Sequence, residues 1–271
     1  MTRLSALFFS ALIFCAVGCL RTSTTVIVHR NGSATIIDTT LLTKQTMEMW
    51  KEMAKASKQK LEDVLRQDMR DTTAAQRAAQ MGEGVEFVQS SFVSRNGMAG
   101  YVTTFSARDV ALLQINKNQF HEKISTDSAG KAEAPAFVRF ERNGGQFRII
   151  SEPLAPSQDE SELDSELTDK EIANQVNIAR KFMKDLDLAL RVTFESGIAD
   201  TDAMFVRDNT ITLIHIPFNA ILKKMQKDPQ VFRYMAGIAT PAPWDMEKEF
   251  NKLGGGVVME TKPVVTVKLR Q

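Results

Sequence analysis

Tight-turn signals recur along this chain, each between two runs of β-branched or aromatic residues. The first is Asn31-Gly32, and others follow at Asn96-Gly97, Asn143-Gly144-Gly145 and Asp208-Asn209. Asn-Gly favours a type I′ turn, because both residues tolerate the positive φ angles that match the twist of a hairpin. These signals predict four β-hairpins, which span residues 24–42, 85–105, 137–150 and 204–216.

Helical periodicity separates the hairpins. From Met47 to Asp68, a mostly apolar stripe recurs at alternating spacings of three and four, which predicts an amphipathic helix of several turns. A second helix is predicted over residues 72–81, and a capping box formed by Thr168 and Glu171 begins a third. Strands and helices do not alternate steadily. We therefore predict an α+β fold in which a mainly antiparallel sheet, built from hairpins, packs against long amphipathic helices.

The N-terminus has the layout of an export signal. Arg3 supplies a positive charge, and residues 4–17 form an apolar run that is too short to span a bilayer. The run ends in Ala16-Val17-Gly18-Cys19, which resembles a bacterial lipobox. The resemblance implies cleavage after Gly18 and attachment of acyl chains such as palmitate to Cys19.

The lipobox departs from its commonest form, which has Leu at the position of Ala16. An ordinary secretory cleavage after Gly18 therefore stays an alternative, because small residues suit both kinds of peptidase. By resemblance to lipoprotein sorting signals, Leu20 in place of Asp after the cysteine favours the outer membrane over the inner membrane.

Composition excludes several classes of function. The chain has 34 basic and 33 acidic residues, and removal of the leader takes away Arg3 and no acidic residue. The near-zero net charge argues against a nucleic-acid-binding protein, which needs a basic face. Cleavage of Cys15 and acylation of Cys19 leave no thiol, which excludes disulfides, thiolate metal sites and cysteine nucleophiles.

The segments suggest one mature domain. Residues 1–18 are the predicted leader, and residues 19–23 are the lipidated N-terminus with a short tether. A hairpin and helix region is predicted over 24–151, and an acidic linker or loop over 152–167. A second helix and strand region, 168–271, is expected to belong to the same domain.

No motif for catalysis, metal binding or cofactor binding emerges. The three histidines, His29, His121 and His215, are far apart and lack the spacing of metal ligands. Gly-x-Ser-x-Gly is absent, and the Ser-x-x-Lys match at 57–60 lies in a predicted helix whose lysine face is explained by solvation. The acidic run 159–166 lacks the central glycine of a calcium loop. We therefore predict no catalytic residue, no metal and no cofactor.

One apolar helix face has two interpretations. Met47, Trp50 and Met53 lie on the first predicted helix, and such a stripe most often packs in a core. Methionine side chains also adapt to varied ligands, so the same residues predict an apolar groove as the alternative.

The order of the elements resembles the LppM-type domain of bacterial lipoproteins. The likeness rests on a lipobox cysteine followed by the hairpin 25–37, a long helix, and the segment 84–88 that leads to the strand 100–105. Residues 190–194 and 207–213 resemble its later strands. This resemblance implies an exported, membrane-tethered α+β domain, and it transfers no catalytic residues.

Three functional hypotheses follow. The first is an exported cell-envelope lipoprotein that is bound to the membrane through Cys19 and acts as a non-catalytic binding or structural module for an envelope partner. The second is a carrier that holds a lipid in an apolar cavity. The third is an enzyme whose carboxylates converge only on folding.

Overall fold

The computed structural model describes residues 20–63, 71–95, 97–117, 136–152, 168–183, 185–229, 231–232 and 256–270. Within these ranges the chain forms two β-sheets and four α-helices of ten residues or more. The predicted cleavage residue Gly18, the predicted lipidation residue Cys19 and nearly all of the predicted acidic linker lie outside them.

The larger sheet has the strand order β10-β11-β8-β1-β2-β4-β3, and β12 also pairs with β11. All these neighbours are antiparallel except β1 and β8, which are parallel. The strands of this sheet are β1 (Leu20–Val28), β2 (Ala34–Leu42), β3 (Val85–Arg95), β4 (Met98–Ala107), β8 (Asp187–Phe194), β10 (Val206–Arg207), β11 (Thr210–Pro217) and β12 (Val258–Met259).

The smaller sheet has the order β5-β6-β7-β13-β9, and its pairs are antiparallel. Its strands are β5 (Gln114–Asn116), β6 (Phe137–Asn143), β7 (Gln146–Ser151), β9 (Ile198–Thr201) and β13 (Val264–Leu269). All four predicted hairpins are present, as the pairs β1–β2, β3–β4, β6–β7 and β10–β11. The prediction of a mixed α and β fold with antiparallel sheets is confirmed.

The helices are mostly short. They are α1 (Lys44–Ala56), α2 (Asp71–Gln80), α3 (Asp169–Met183) and α4 (Phe218–Lys227). The expectation of long amphipathic helices is therefore wrong, and the helix expected to reach Asp68 ends at Ala56. Lys58 has a φ of 55°, and the Gln59 N–H donates to the Ala54 carbonyl, which closes the last turn. The apolar spacing continues past this stop, so periodicity did not reveal it.

Residues 20–23 belong to β1, although the sequence predicted a tether there. They pair with β2 on one side, and residues 21–23 pair with β8 on the other, so they form part of an interior strand. The sequence of this segment resembles a polar tether because the side chain that faces the core, Thr22, is polar. Thr22 is nevertheless buried. Strand periodicity is visible only when the buried positions are apolar.

The main core lies between the two sheets. Each sheet contributes large buried side chains, among them Phe105 and Phe194 of the larger sheet and Phe140 and Phe147 of the smaller one. The rings of Phe147 and Phe194 meet edge to face with centroids 5.0 Å apart. Strands from residues 20–152 and from residues 168–270 pair in both sheets, so one core joins the two halves of the chain.

Gly100→Ala should destabilise the protein by about 1–3 kcal/mol, the usual range for overpacking in a tight site. A Cβ atom at Gly100 on β4 would lie 2.0 Å from the Thr40 carbonyl oxygen on β2, so one strand must shift. Gly145→Ala is the matched control, because a Cβ atom there meets no heavy atom within 4 Å. Urea unfolding of both variants tests the prediction, and equal midpoints would contradict it.

Candidate functional site

The inner face of the larger sheet, which packs on the smaller sheet, divides into an apolar half and a polar half. The strand register aligns its side chains in rows across β8, β1, β2 and β4. Two rows contain only apolar residues: Val192, Val26, Ile36 and Phe105, and then Phe194, Val28, Ala34 and Ala107. These rows form the core with the smaller sheet.

The other two rows lie nearer Leu20 and are polar at their centre. One row is Leu190, Thr24, Asp38 and Thr103, and the next is Leu188, Thr22, Thr40 and Tyr101. We name Thr22, Thr24, Asp38, Thr40 and Thr103 the threonine patch. All five side chains are buried, although each belongs to a residue type that is usually exposed. The patch is the largest departure of this face from ordinary core composition.

An ion pair organises the centre of the threonine patch. The Thr24 hydroxyl donates to Asp38 Oδ1 at 3.1 Å, and Asp38 Oδ2 accepts from the Arg77 guanidinium of α2. Asp38 is 3% exposed. The Arg77 guanidinium also lies 5.6 Å from the centre of the Phe105 ring, and burial lowers its pKa from the usual range. The pair thus connects α2 to the middle of the sheet in a place with little solvent.

One hydroxyl of the patch is unsatisfied within the part of the chain that the structure describes. Thr22 is 1% exposed, and its Oγ1 has no hydrogen-bond partner there. A buried hydroxyl without a partner costs about 1–3 kcal/mol, and valine would fill nearly the same volume without that cost.

The predicted apolar groove residues lie on α1, which contacts β2 and β4. Met47 is buried and Trp50 is half-buried, whereas the side chain of Met53 is outside the described part of the structure. Beyond α1, the Tyr101 hydroxyl donates to the Glu62 carbonyl at 3.2 Å. Burial of Met47 agrees with the core interpretation, and the groove stays a prediction.

Two of the three histidines each face a carboxylate that is distant in sequence. His29 Nδ1 lies 3.4 Å from Glu195 Oε2, and its Nε2 lies 2.8 Å from Thr35 Oγ1. His215 Nε2 lies 3.2 Å from Asp187 Oδ1, while His121 is outside the described ranges.

The order carboxylate, imidazole and hydroxyl around His29 is the order used for general-base activation of a nucleophile. Here it also joins the end of β1 to β2 and to the residue after β8. The hypothesis that this protein is an enzyme therefore stays a prediction, and His29 with its two neighbours is the arrangement on which it would depend. Sequence spacing missed the pair because His29 and Glu195 are 166 positions apart.

Metal ligands do not converge in the described ranges: no group of three or more His, Cys, Asp or Glu side chains there could hold an ion. In the same part of the chain, no helix combines the length and the apolar character that a membrane crossing requires.

The end of the larger sheet at which β1 begins, here called the Leu20 end, gathers several charged side chains. Leu20 pairs with Leu42 of β2, and Arg21 pairs with Asp187 at the start of β8. Arg21 Nη2 lies 3.1 Å from Asp187 Oδ2. Asp187 in turn pairs with Pro217, and α4 begins at the next residue. The first turn of α4 therefore lies at the same end of the sheet as Leu20.

Comparisons with known proteins give little support to any identity. No protein-family model matches the chain, and no curated protein matches it. The chain is similar to the NMR structure of the folded domain of LppM from Mycobacterium tuberculosis, with 10% sequence identity and a TM-score of 0.30. The match covers 72% of this chain and 80% of that domain. This similarity to the LppM folded domain is weak, and no family is assigned from it.

Proposed function

We propose that this protein is an exported lipoprotein of the cell envelope, anchored by acyl chains on Cys19, which acts as a non-catalytic binding or structural module at the membrane surface. The observation that carries the proposal is that β1 begins at Leu20, directly after Cys19. β1 is not an edge strand, because it lies between β8 and β2. An anchor on Cys19 would therefore join the interior of the fold without any intervening linker.

The absence of slack between Cys19 and β1 has a mechanical consequence. Consecutive Cα atoms are about 3.8 Å apart, so a lipid on Cys19 keeps the Leu20 end within a few ångströms of the headgroups. Ladder hydrogen bonds on both sides of β1 prevent this segment from extending as a flexible tether. This geometry favours a module that works at the membrane over a carrier that must leave it.

The buried threonine patch lies in the half of the inner face that is nearer Cys19, so the polar part of the core is the part beside the proposed anchor. An envelope protein or another envelope component is the partner class that we propose, in the outer membrane by the lipoprotein sorting argument. A lipid carrier is the second choice, and it depends on the groove predicted at Met47, Trp50 and Met53.

Cys19→Ala should move most of the protein from the membrane fraction to the salt-soluble fraction of the native host. Each buried methylene of an acyl chain contributes about 0.8 kcal/mol, so loss of the lipid removes the anchor. Mass spectrometry of the mature N-terminus should find Cys19 acylated in the natural chain. Cys15→Ala is the matched control, since Cys15 lies in the predicted leader, and it should leave membrane attachment unchanged.

Two results would contradict the anchor. One is a mature chain that carries an unmodified Cys19. The other is a Cys19→Ala variant that resists extraction by salt as strongly as the natural protein does.

A further inference from the structure

We propose that the Leu20 end is itself a membrane-contact surface, on which Lys223 and Lys227 of α4 bind the anionic phospholipid headgroups of the leaflet that holds the anchor. The inference rests on the proposed function, because the acyl anchor is what places the protein beside that leaflet. It adds a second, electrostatic contact, which an acylated cysteine alone does not supply.

The strand register brings α4 to this end of the domain. Leu20 and Arg21 begin β1, Arg21 pairs with Asp187, and Asp187 pairs with Pro217. Neighbouring strands are about 4.8 Å apart, so the start of α4 lies roughly 10 Å from the start of β1. A body held at Leu20 therefore also has the first turn of α4 close to the headgroup layer.

The side chains of α4 divide into an apolar face and a basic face. Phe218, Ile221 and Leu222 are buried, and they pack into the main core or into the smaller clusters beside β12 and α3. Lys223 and Lys227 are exposed and lie one helical turn apart. At 100° per residue they project from the side of the helix opposite to the buried residues. The basic face of α4 thus points away from the folded body.

The charges around this end complement an anionic surface. α4 contains Lys223, Lys224 and Lys227 and no acidic residue. The acidic residues that flank α4 and the start of β8 in the sequence are Asp185, Asp187 and Asp228. Asp187 already forms an ion pair with Arg21, whose Nη2 lies 3.1 Å from Asp187 Oδ2. On α1, by contrast, Lys51 pairs with Glu48 and Lys55 pairs with Glu52.

The expected strength follows from the potential at an anionic leaflet, where each lysine contributes about 5.5-fold in affinity. Two lysines thus contribute about 30-fold, which falls as salt screens the surface. With the anchor in place, this interaction orients the body rather than retaining it. It would fix the rotation of the domain about β1 and so determine which faces meet the bilayer.

The test uses the mature chain with Cys19→Ser, which lacks the acyl anchor but retains every strand and helix of the fold. Co-sedimentation with vesicles of phosphatidylglycerol and phosphatidylethanolamine is compared with binding to phosphatidylcholine vesicles. We expect binding to the anionic vesicles alone, weakened about 30-fold in Lys223→Gln/Lys227→Gln. Lys51→Gln/Lys55→Gln is the matched control, because it removes the same charge from α1 and should bind nearly as well as the parent.

Equal binding by the two double variants would overturn the inference, as would equal binding to the two kinds of vesicle. Circular dichroism melts verify that all variants fold alike. The result is independent of acylation, since the chain tested has no Cys19 thiol. A failure here therefore leaves the anchor intact, whereas an unmodified Cys19 in the native host would refute the anchor without affecting the vesicle result.

Discussion

Arg77→Ala is expected to lower the free energy of unfolding by about 3–5 kcal/mol, the range found when one partner of a buried ion pair is removed. The substitution leaves the Asp38 carboxylate in the middle of the larger sheet with only the Thr24 hydroxyl as its partner among the contacts described above. It also removes the cation that packs against the Phe105 ring. Urea unfolding followed by circular dichroism at neutral pH measures the loss.

The control for Arg77→Ala is Arg108→Ala, which breaks the ion pair between Arg108 and Glu86 at the surface. Both of these side chains are more than half exposed, and such pairs contribute about 0–1 kcal/mol. If the two variants lose the same stability, then Asp38 is solvated or satisfied by other groups, and the threonine patch is not the dry polar site described here.

Phe147→Ala is expected to cost about 3–5 kcal/mol, because it removes a fully buried ring and leaves a cavity between the two sheets. The ring lies 5.9 Å from Phe140 and 5.0 Å from Phe194, measured between centroids. Phe194 belongs to the larger sheet, so removal of the Phe147 ring weakens the packing between the two sheets and not only the packing within one of them. Thermal unfolding and urea unfolding should report the same ranking.

Leu112→Ala is the control for the core prediction. Leu112 is a large apolar residue on the short helix before β5, but it is 49% exposed. Its truncation should change the free energy of unfolding by about 0.5 kcal/mol or less. A Phe147→Ala variant that is no less stable than Leu112→Ala would show that the two sheets do not share the core described above.

The hairpins were predictable because their signals are local. Gly32 and Gly144 have φ angles of 92° and 59°, and Asp208 has a φ of 56°, so each turn uses a residue that tolerates the left-handed region. The flanking strands then pair with their nearest neighbours in sequence. The stop of α1 at Ala56 was missed because neither glycine nor proline marks it, and a lysine adopts the left-handed conformation instead.

The candidate site was missed for a different reason. Asp38 occupies an inward-facing position of β2, in phase with Ala34 and Ile36, and that phase was the one available signal of a buried carboxylate. Its cation, Arg77, is 39 positions away on a helix that reads only as rich in alanine and glutamine. The contact between His29 and Glu195 was missed for the same reason, because the two residues are far apart in sequence.

By itself, the amino-acid sequence determined the leader-like N-terminus, the four hairpins and the antiparallel character of the sheets, because these depend on residues within one turn or one strand of each other. Only the tertiary structure decided that β1 pairs in parallel with β8, that Leu20 begins an interior strand, and that Arg77 reaches Asp38. Those outcomes depend on which surfaces, distant in sequence, become buried against each other. The packing of the whole core determines this, so it leaves no local pattern in the chain.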